Sequence, residues 1–218
     1  MIGFYDYTVI LTYASVVSAT VGIFVALTGA QHPYIATFCL MFCGLCDAFD
    51  GRVARKKKDR TKDMCAFGVQ IDSLSDMIAF GVLPVCIGYS MRETIFAAQH
   101  GIVWQAVIAV LISCAYVLCA LIRLAYFNVT EEQRQQTQGG ERKHYTGLPV
   151  TSASLIFPTL ALFMHIFKVS YSWLYYGVML LVAALFVGRF RIPKPGFKFI
   201  MSLIAIGVIE AVLFFVFR

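Results

Sequence analysis

The chain has 218 residues, of which 60% are hydrophobic and 14% charged, with a mean hydropathy of +0.77 and a net charge of +6. Soluble globular chains are nearer half apolar and a quarter charged, so a soluble enzyme and a disordered chain are both excluded. Acids are scarce, seven Asp and five Glu, and an acid within hydrocarbon is costly unless function requires it.

A membrane-spanning helix needs about 20 mostly apolar residues. Seven stretches qualify in chain order: Tyr7–Gly29, Tyr34–Val53, Val69–Ser90, Ile102–Phe127, Leu148–Phe167, Tyr171–Gly188 and Phe199–Phe217. None alternates with period two, which argues against a β-barrel. The first stretch has no basic residues ahead of it and no cleavage site, so it reads as a span and not as a signal peptide. The expectation is an all-α, polytopic transmembrane helix bundle forming one domain over residues 1–218.

The connections carry the charge. Arg55–Phe67 joins the second and third stretches and holds Lys56, Lys57, Lys58, Arg60 and Lys62. Asn128–Gly147, with a polar run Thr130–Gly140 that reads as a loop, and Arg189–Lys198, within which Arg189–Phe197 with Pro193 and Pro195 reads as an ordered turn, fall on the same side. Together with Arg52 and Arg123 these regions hold 15 of the 18 Lys and Arg, and such an excess marks the cytoplasmic side. The N-terminus is then cytoplasmic, and the expected location is the cell membrane. No basic, aromatic-interleaved soluble module is present, so nucleic acid is not an expected partner.

Seven cysteines lie mostly within the spans. Cys43-x-x-Cys46 sits in an apolar run without a second pair, and reads as packing. His32, His100, His144 and His165 do not pair at ligand spacing with one another or with Cys.

Four of the seven Asp form two close pairs. The first lies in Asp47-x-x-Asp50-Gly51-x-x-Ala54-Arg55, at the inner end of the second span. The second lies in Gly68-x-x-x-Asp72-x-x-x-Asp76, at the start of the third. Spacings of three and four place both members of each pair on one helix face. Four carboxylates can thus converge at the cytoplasmic edge of the membrane. Together they repel one another, and divalent cations, which prefer oxygen ligands, relieve that repulsion. Two such ions suit phosphoryl chemistry by clamping attacking and leaving oxygens. Gly51 and Ala54, on the face of Asp47 and Asp50, leave room for a ligand against the backbone, and Gly68 is placed similarly one turn before Asp72. Ser73 and Ser75 lack a His base nearby and do not read as nucleophiles.

The pattern Asp-x-x-Asp-Gly-x-x-Ala-Arg, a spacer, then Gly-x-x-x-Asp-x-x-x-Asp resembles the signature of the CDP-alcohol phosphotransferases, with every position filled. Within that family, Asp72-Ser73-Leu74-Ser75-Asp76 followed by Phe80-Gly81-Val82-Leu83-Pro84 resembles the phosphatidylserine synthase branch. So do Arg123-Leu124-Ala125-Tyr126-Phe127-Asn128 and Gly147-Leu148-Pro149. The chain departs from that branch at Tyr126, where Arg is frequent, and in the first span, where only Thr12 matches clearly and Ser15 stands in place of an Asn.

The resemblance implies the family's six-helix core, here followed by an extra C-terminal span. It implies transfer of a phosphatidyl group from CDP-diacylglycerol to L-serine, giving phosphatidylserine and CMP within membrane lipid. It implies Mg2+ or Mn2+, two per site, held by Asp47, Asp50, Asp72 and Asp76, with Asp76 also the general base. Asp47, Gly51, Ala54, Arg55, Gly68 and Asp72 would bind the CDP moiety, and a homodimer is expected. Arg123 would meet the serine carboxylate or anchor its span. Asn128 would contact serine or cap a helix end. Arg142 and Lys143 would meet lipid phosphate, the serine carboxylate, or only solvent. A sister enzyme with another acceptor or an archaeal-type lipid donor shares the same metal site. A transporter is the reading from another class, although its acids belong near the bilayer midplane and between repeats.

Overall fold

A computed structural model describes residues 3, 7–28, 33–57, 59, 61–96, 103–137, 144–167, 172–193 and 197–216. The helices are α1 (Ile10–Leu27, after a 3-10 turn Tyr7–Val9), α2 (Pro33–Lys56), α3 (Lys62–Asp76), α4 (Leu83–Phe96), α5 (Val103–Thr137), α6 (Ala153–Ile166), α7 (Ser172–Val187) and α8 (Phe197–Val216). A π-helical segment, Met77–Val82, joins α3 to α4. The apolar stretches are thus helical where the structure describes them, with α3, the π-segment and α4 forming one continuous stretch.

Among the described residues, four helical stretches are long and apolar enough to cross a membrane: Tyr7–Leu27, Pro33–Ala54, Lys62–Met91 and Trp104–Glu131. Val150–Ile166 and Trp173–Val187 are shorter and apolar. The chain is a multi-pass helical membrane protein.

Helix ends differ from those that hydropathy suggests, and the local chemistry explains why. The Arg55–Phe67 connection shrinks to five residues, because α2 runs on to Lys56 and α3 begins at Lys62. Thr61 is the N-cap of α3, its hydroxyl accepting the Met64 N–H at 3.2 Å, and Asp63 in the first turn suits the positive helix terminus. Hydropathy reports the membrane segment, whereas the cap fixes the helix. Likewise α5 continues to Thr137, so much of the expected Thr130–Gly140 loop is helical. Thr130 sits within it, donating to the Tyr126 carbonyl at 2.9 Å.

Close packing relies on small residues and dense rings, since lipid leaves little hydrophobic drive between helices. α1 lies along α2, α5 along α7, and α6 and α8 both meet α2. Tyr116, Phe157, Tyr175 and Phe186 form a fully buried cluster from α5, α6 and α7. The Tyr116 ring lies 5.7 Å from Phe157 and 5.6 Å from Phe186. At one end of the bundle the Tyr34 hydroxyl and the His165 ring nitrogen Nδ1 lie 2.7 Å apart and join α2 to α6. Deeper in the bundle the buried Glu210 accepts a hydrogen bond from Thr159 of α6.

At the opposite end two short strands, β1 (His144–Thr146) and β2 (Arg191–Pro193), pair antiparallel, Tyr145 opposite Ile192. Within the expected Arg189–Phe197 turn, Arg191–Pro193 is therefore half of a clip. Beyond β1 the chain docks on the end of α7, the Gly147 N–H donating to the Phe190 carbonyl at 2.8 Å and the Leu148 N–H to the Leu185 carbonyl at 3.1 Å. Gly147 has φ +74°, and a Cβ there would meet the Phe186 and Gly188 carbonyl oxygens at 3.0 Å. Glycine alone accommodates both that conformation and that approach.

Candidate active site

Asp47 and Asp50 lie in the last three turns of α2, and Asp72 and Asp76 in the last two turns of α3. The short connection between these helices turns the two pairs toward each other. Carboxylate oxygens of Asp47, Asp50 and Asp72 all lie within 4.8 Å of one another, and Asp50 is only 9% exposed. Carboxylates this close repel one another unless a proton or a cation lies between them. Asp76, one turn beyond Asp72, is outside this group of three but close enough for its charge to interact with all three.

The donor set fits a hard divalent cation: three oxygen ligands, from two helices, held together against their own repulsion. Gly51 and Ala54 follow Asp50 on α2, and Gly68 precedes Asp72 on α3, all half-buried. Arg55 lies in α2, with its side chain outside the described residues, and Arg142 and Lys143 lie outside them altogether.

The two α5 candidates take different places from those that spacing suggests. Asn128 lies nine residues before the end of α5 and caps nothing. Its Nδ2 donates to the Ser73 hydroxyl at 2.8 Å, and that hydroxyl approaches the Asn128 Oδ1 at 3.1 Å. Asn128 is thereby tied to the residue after Asp72. Arg123 is buried, 5% exposed, and its Nε donates to the Leu148 carbonyl at 3.0 Å. Its guanidinium lies 5.6 Å from the centre of the Phe127 ring. One side chain therefore connects α5 to the Gly147–Pro149 segment. The first span also reaches the site: the Ser75 hydroxyl donates to the Thr12 carbonyl at 3.4 Å, and the Cys43 thiol to the Ser15 carbonyl at 3.3 Å.

Ser73 is the site residue that sequence reasoning misses, since spacing presents it only as a nucleophile without a base. Its adjacency to Asp72 is the available signal. The arrangement offers a cation site of carboxylates, a fourth carboxylate beside it, and a polar pair bridging α3 and α5.

The family profile of CDP-alcohol phosphatidyltransferases matches residues 8–190. A CDP-diacylglycerol–serine O-phosphatidyltransferase of Saccharomyces cerevisiae is 35% identical over 133 residues, 60% of this chain and 43% of that protein, so the chain spans less than half its length. An archaetidylserine synthase of Methanothermobacter thermautotrophicus is 29% identical over 185 residues, 85% of this chain and 68% of that protein. A CDP-diacylglycerol–serine O-phosphatidyltransferase of Helicobacter pylori is 27% identical over 189 residues, 85% and 70% of the two chains. No solved structure matches.

Proposed function

The chain belongs to the CDP-alcohol phosphatidyltransferase family, and on that premise we propose that it transfers the phosphatidyl group of CDP-diacylglycerol to the hydroxyl of L-serine, releasing CMP. The observation that carries this reading is the convergence of Asp47, Asp50 and Asp72 with Asp76 beside them. The choice of serine draws on the relatives, which share serine in their names even where the donor lipid differs.

Asp47, Asp50 and Asp72 would hold a divalent metal, which when bound would supply neutralisation of the diphosphate and of the charge developing on the leaving CMP. Gly51, Ala54 and Gly68 leave the backbone open to the cytidine diphosphate, and Arg55 and Asp47 complete that pocket. Asp76 accepts the proton of the serine hydroxyl as general base. The serine oxygen then bonds to the phosphorus that carries diacylglycerol, and the bond from that phosphorus to CMP breaks. Positioning and charge neutralisation supply most of the rate in such transfers. The basic residues that flank this end of the bundle support a cytoplasmic active face.

Asn128, held by Ser73, and Arg123 form the acceptor side on α5. The buried Arg123 charge suits the serine carboxylate, for which a planar guanidinium offers a paired hydrogen-bond geometry that lysine lacks. Arg123→Lys is therefore expected to raise the KM for serine about 10-fold or more, the effect of losing a charge-assisted bond, with the KM for CDP-diacylglycerol unchanged. An unchanged serine KM removes Arg123 from the acceptor site and leaves it as the support of Leu148.

The reading as a whole is tested by CMP release from CDP-diacylglycerol with serine, inositol or glycerol 3-phosphate as acceptor. Release that depends on serine supports it. Release that depends on another alcohol assigns a sister reaction, and no release with any acceptor rejects it. Repeating the assay with an archaeal-type ether-lipid donor separates the two donor classes represented among the relatives.

A further inference from the structure

The helical pass that carries Asp76 changes its winding directly after that residue. Met77–Val82 are π-helical, and the Leu83 N–H donates to the Ile78 carbonyl, five residues back instead of four. The sequence contains a cause. In a regular α-helix the Phe80 carbonyl would accept the N–H of residue 84, and residue 84 is proline, which has none. Phe80 is fully buried, so its carbonyl cannot turn to water, and in α-helical winding the residue four ahead could not serve it. Tyr116 of α5 does serve it, its hydroxyl donating to the Phe80 carbonyl at 2.7 Å. Four residues on, the Tyr175 hydroxyl of α7 donates to the Pro84 carbonyl at 2.8 Å.

Both rings are fully buried and belong to the aromatic cluster of α5, α6 and α7. The two hydroxyls therefore bracket the change of winding and fix it to the rigid core. An extra residue in a helical turn rotates the helix on one side of it relative to the helix on the other by about 100°. Beyond the segment α4 is locked by buried Leu83 and Ile87. Before it, Ser73 is tied to Asn128. Asp76 stands between these two anchors, at the last helical position before the π-segment.

We propose that Tyr116 is a positioning residue for the transfer step, its hydroxyl holding the π-helical winding that aims Asp76 at the acceptor alcohol. The inference rests on Asp76 being the general base. π-helical turns within α-helices are frequent at functional sites, and here the donor that sustains one comes from a different helix and makes no direct claim on substrate.

The test uses the full-length protein with CDP-diacylglycerol and serine. Tyr116→Phe removes the donor and keeps the ring. It is expected to lower kcat between about 10- and 100-fold, the scale of a sub-ångström to one-ångström misplacement, with both KM values within about threefold of wild type by the same reasoning, since the binding groups stay in place. A second variant separates aiming from simple satisfaction of a buried carbonyl. Adding Pro84→Ala to Tyr116→Phe returns an N–H to residue 84, in α-helical winding. Thermal stability is then expected to recover while kcat stays low. Recovery of kcat together with stability overturns the proposal, as does a wild-type kcat in Tyr116→Phe alone. Asp76→Asn assayed in parallel distinguishes the two levels: if it keeps turnover, the base assignment falls and the inference with it. If it is inactive while Tyr116→Phe is normal, the inference falls alone.

Discussion

Asp76→Asn is expected to abolish serine-dependent CMP release, lowering kcat by about 10²- to 10⁴-fold, the contribution of a positioned general base. The substitution is nearly isosteric, so the helix and its packing stay as they are. What changes is that an amide cannot accept the serine proton. Binding of CDP-diacylglycerol should survive, because the three carboxylates grouped within 4.8 Å are Asp47, Asp50 and Asp72 and not Asp76. Removing one negative charge from a crowded acidic cluster also relieves repulsion, so thermal stability should hold or rise. Lost turnover with intact binding and intact stability is a pattern that unfolding cannot produce. Near-normal turnover would reject the assignment.

Chelation of divalent cations should stop the reaction to the same degree, and Mg2+ or Mn2+ should restore it. The second readout is independent of turnover. A ligand that binds only the folded state stabilises it by about 2.7 kcal/mol at a hundred times its Kd, so Tm should climb with added cation. Asp50→Asn should flatten that climb, since Asp50 belongs to the close group. Its own baseline Tm in chelator should equal or exceed that of wild type, because one repelling charge is gone. Full activity in chelator, with no cation dependence of Tm in either protein, would separate this acidic cluster from metal altogether.

The candidate site was partly legible in the sequence because helical periodicity is local. Asp47 and Asp50, and Asp72 and Asp76, share a face by spacing alone, and a short connection keeps the two helices that carry them near each other. Contacts that depend on tertiary packing carried no such mark. Ser73 meets Asn128 across 55 residues, Tyr116 meets Phe80 across 36, and Arg123 meets Leu148 across 25. No periodicity links such positions. The apolar passes were visible as hydropathy, but helix ends beyond them were not, because Thr61 and the final turns of α5 obey capping and propensity. Strands of three residues are too short to show alternation, so β1 and β2 read as loop and turn.

The β1–β2 clip bears on how this chain can vary. Its bonds run between backbone groups, with His144, Tyr145 and Thr146 facing Pro193, Ile192 and Arg191 in register. Backbone pairing is largely indifferent to side-chain identity, so these six positions can drift in sequence at little cost. They cannot drift in length. One residue inserted between β1 and Gly147 would slip the strand register or pull Gly147 off the end of α7, and with it the Leu148 carbonyl that Arg123 holds. In a deep mutational scan this stretch should look permissive to substitution and closed to insertion and deletion, whereas a surface loop tolerates both.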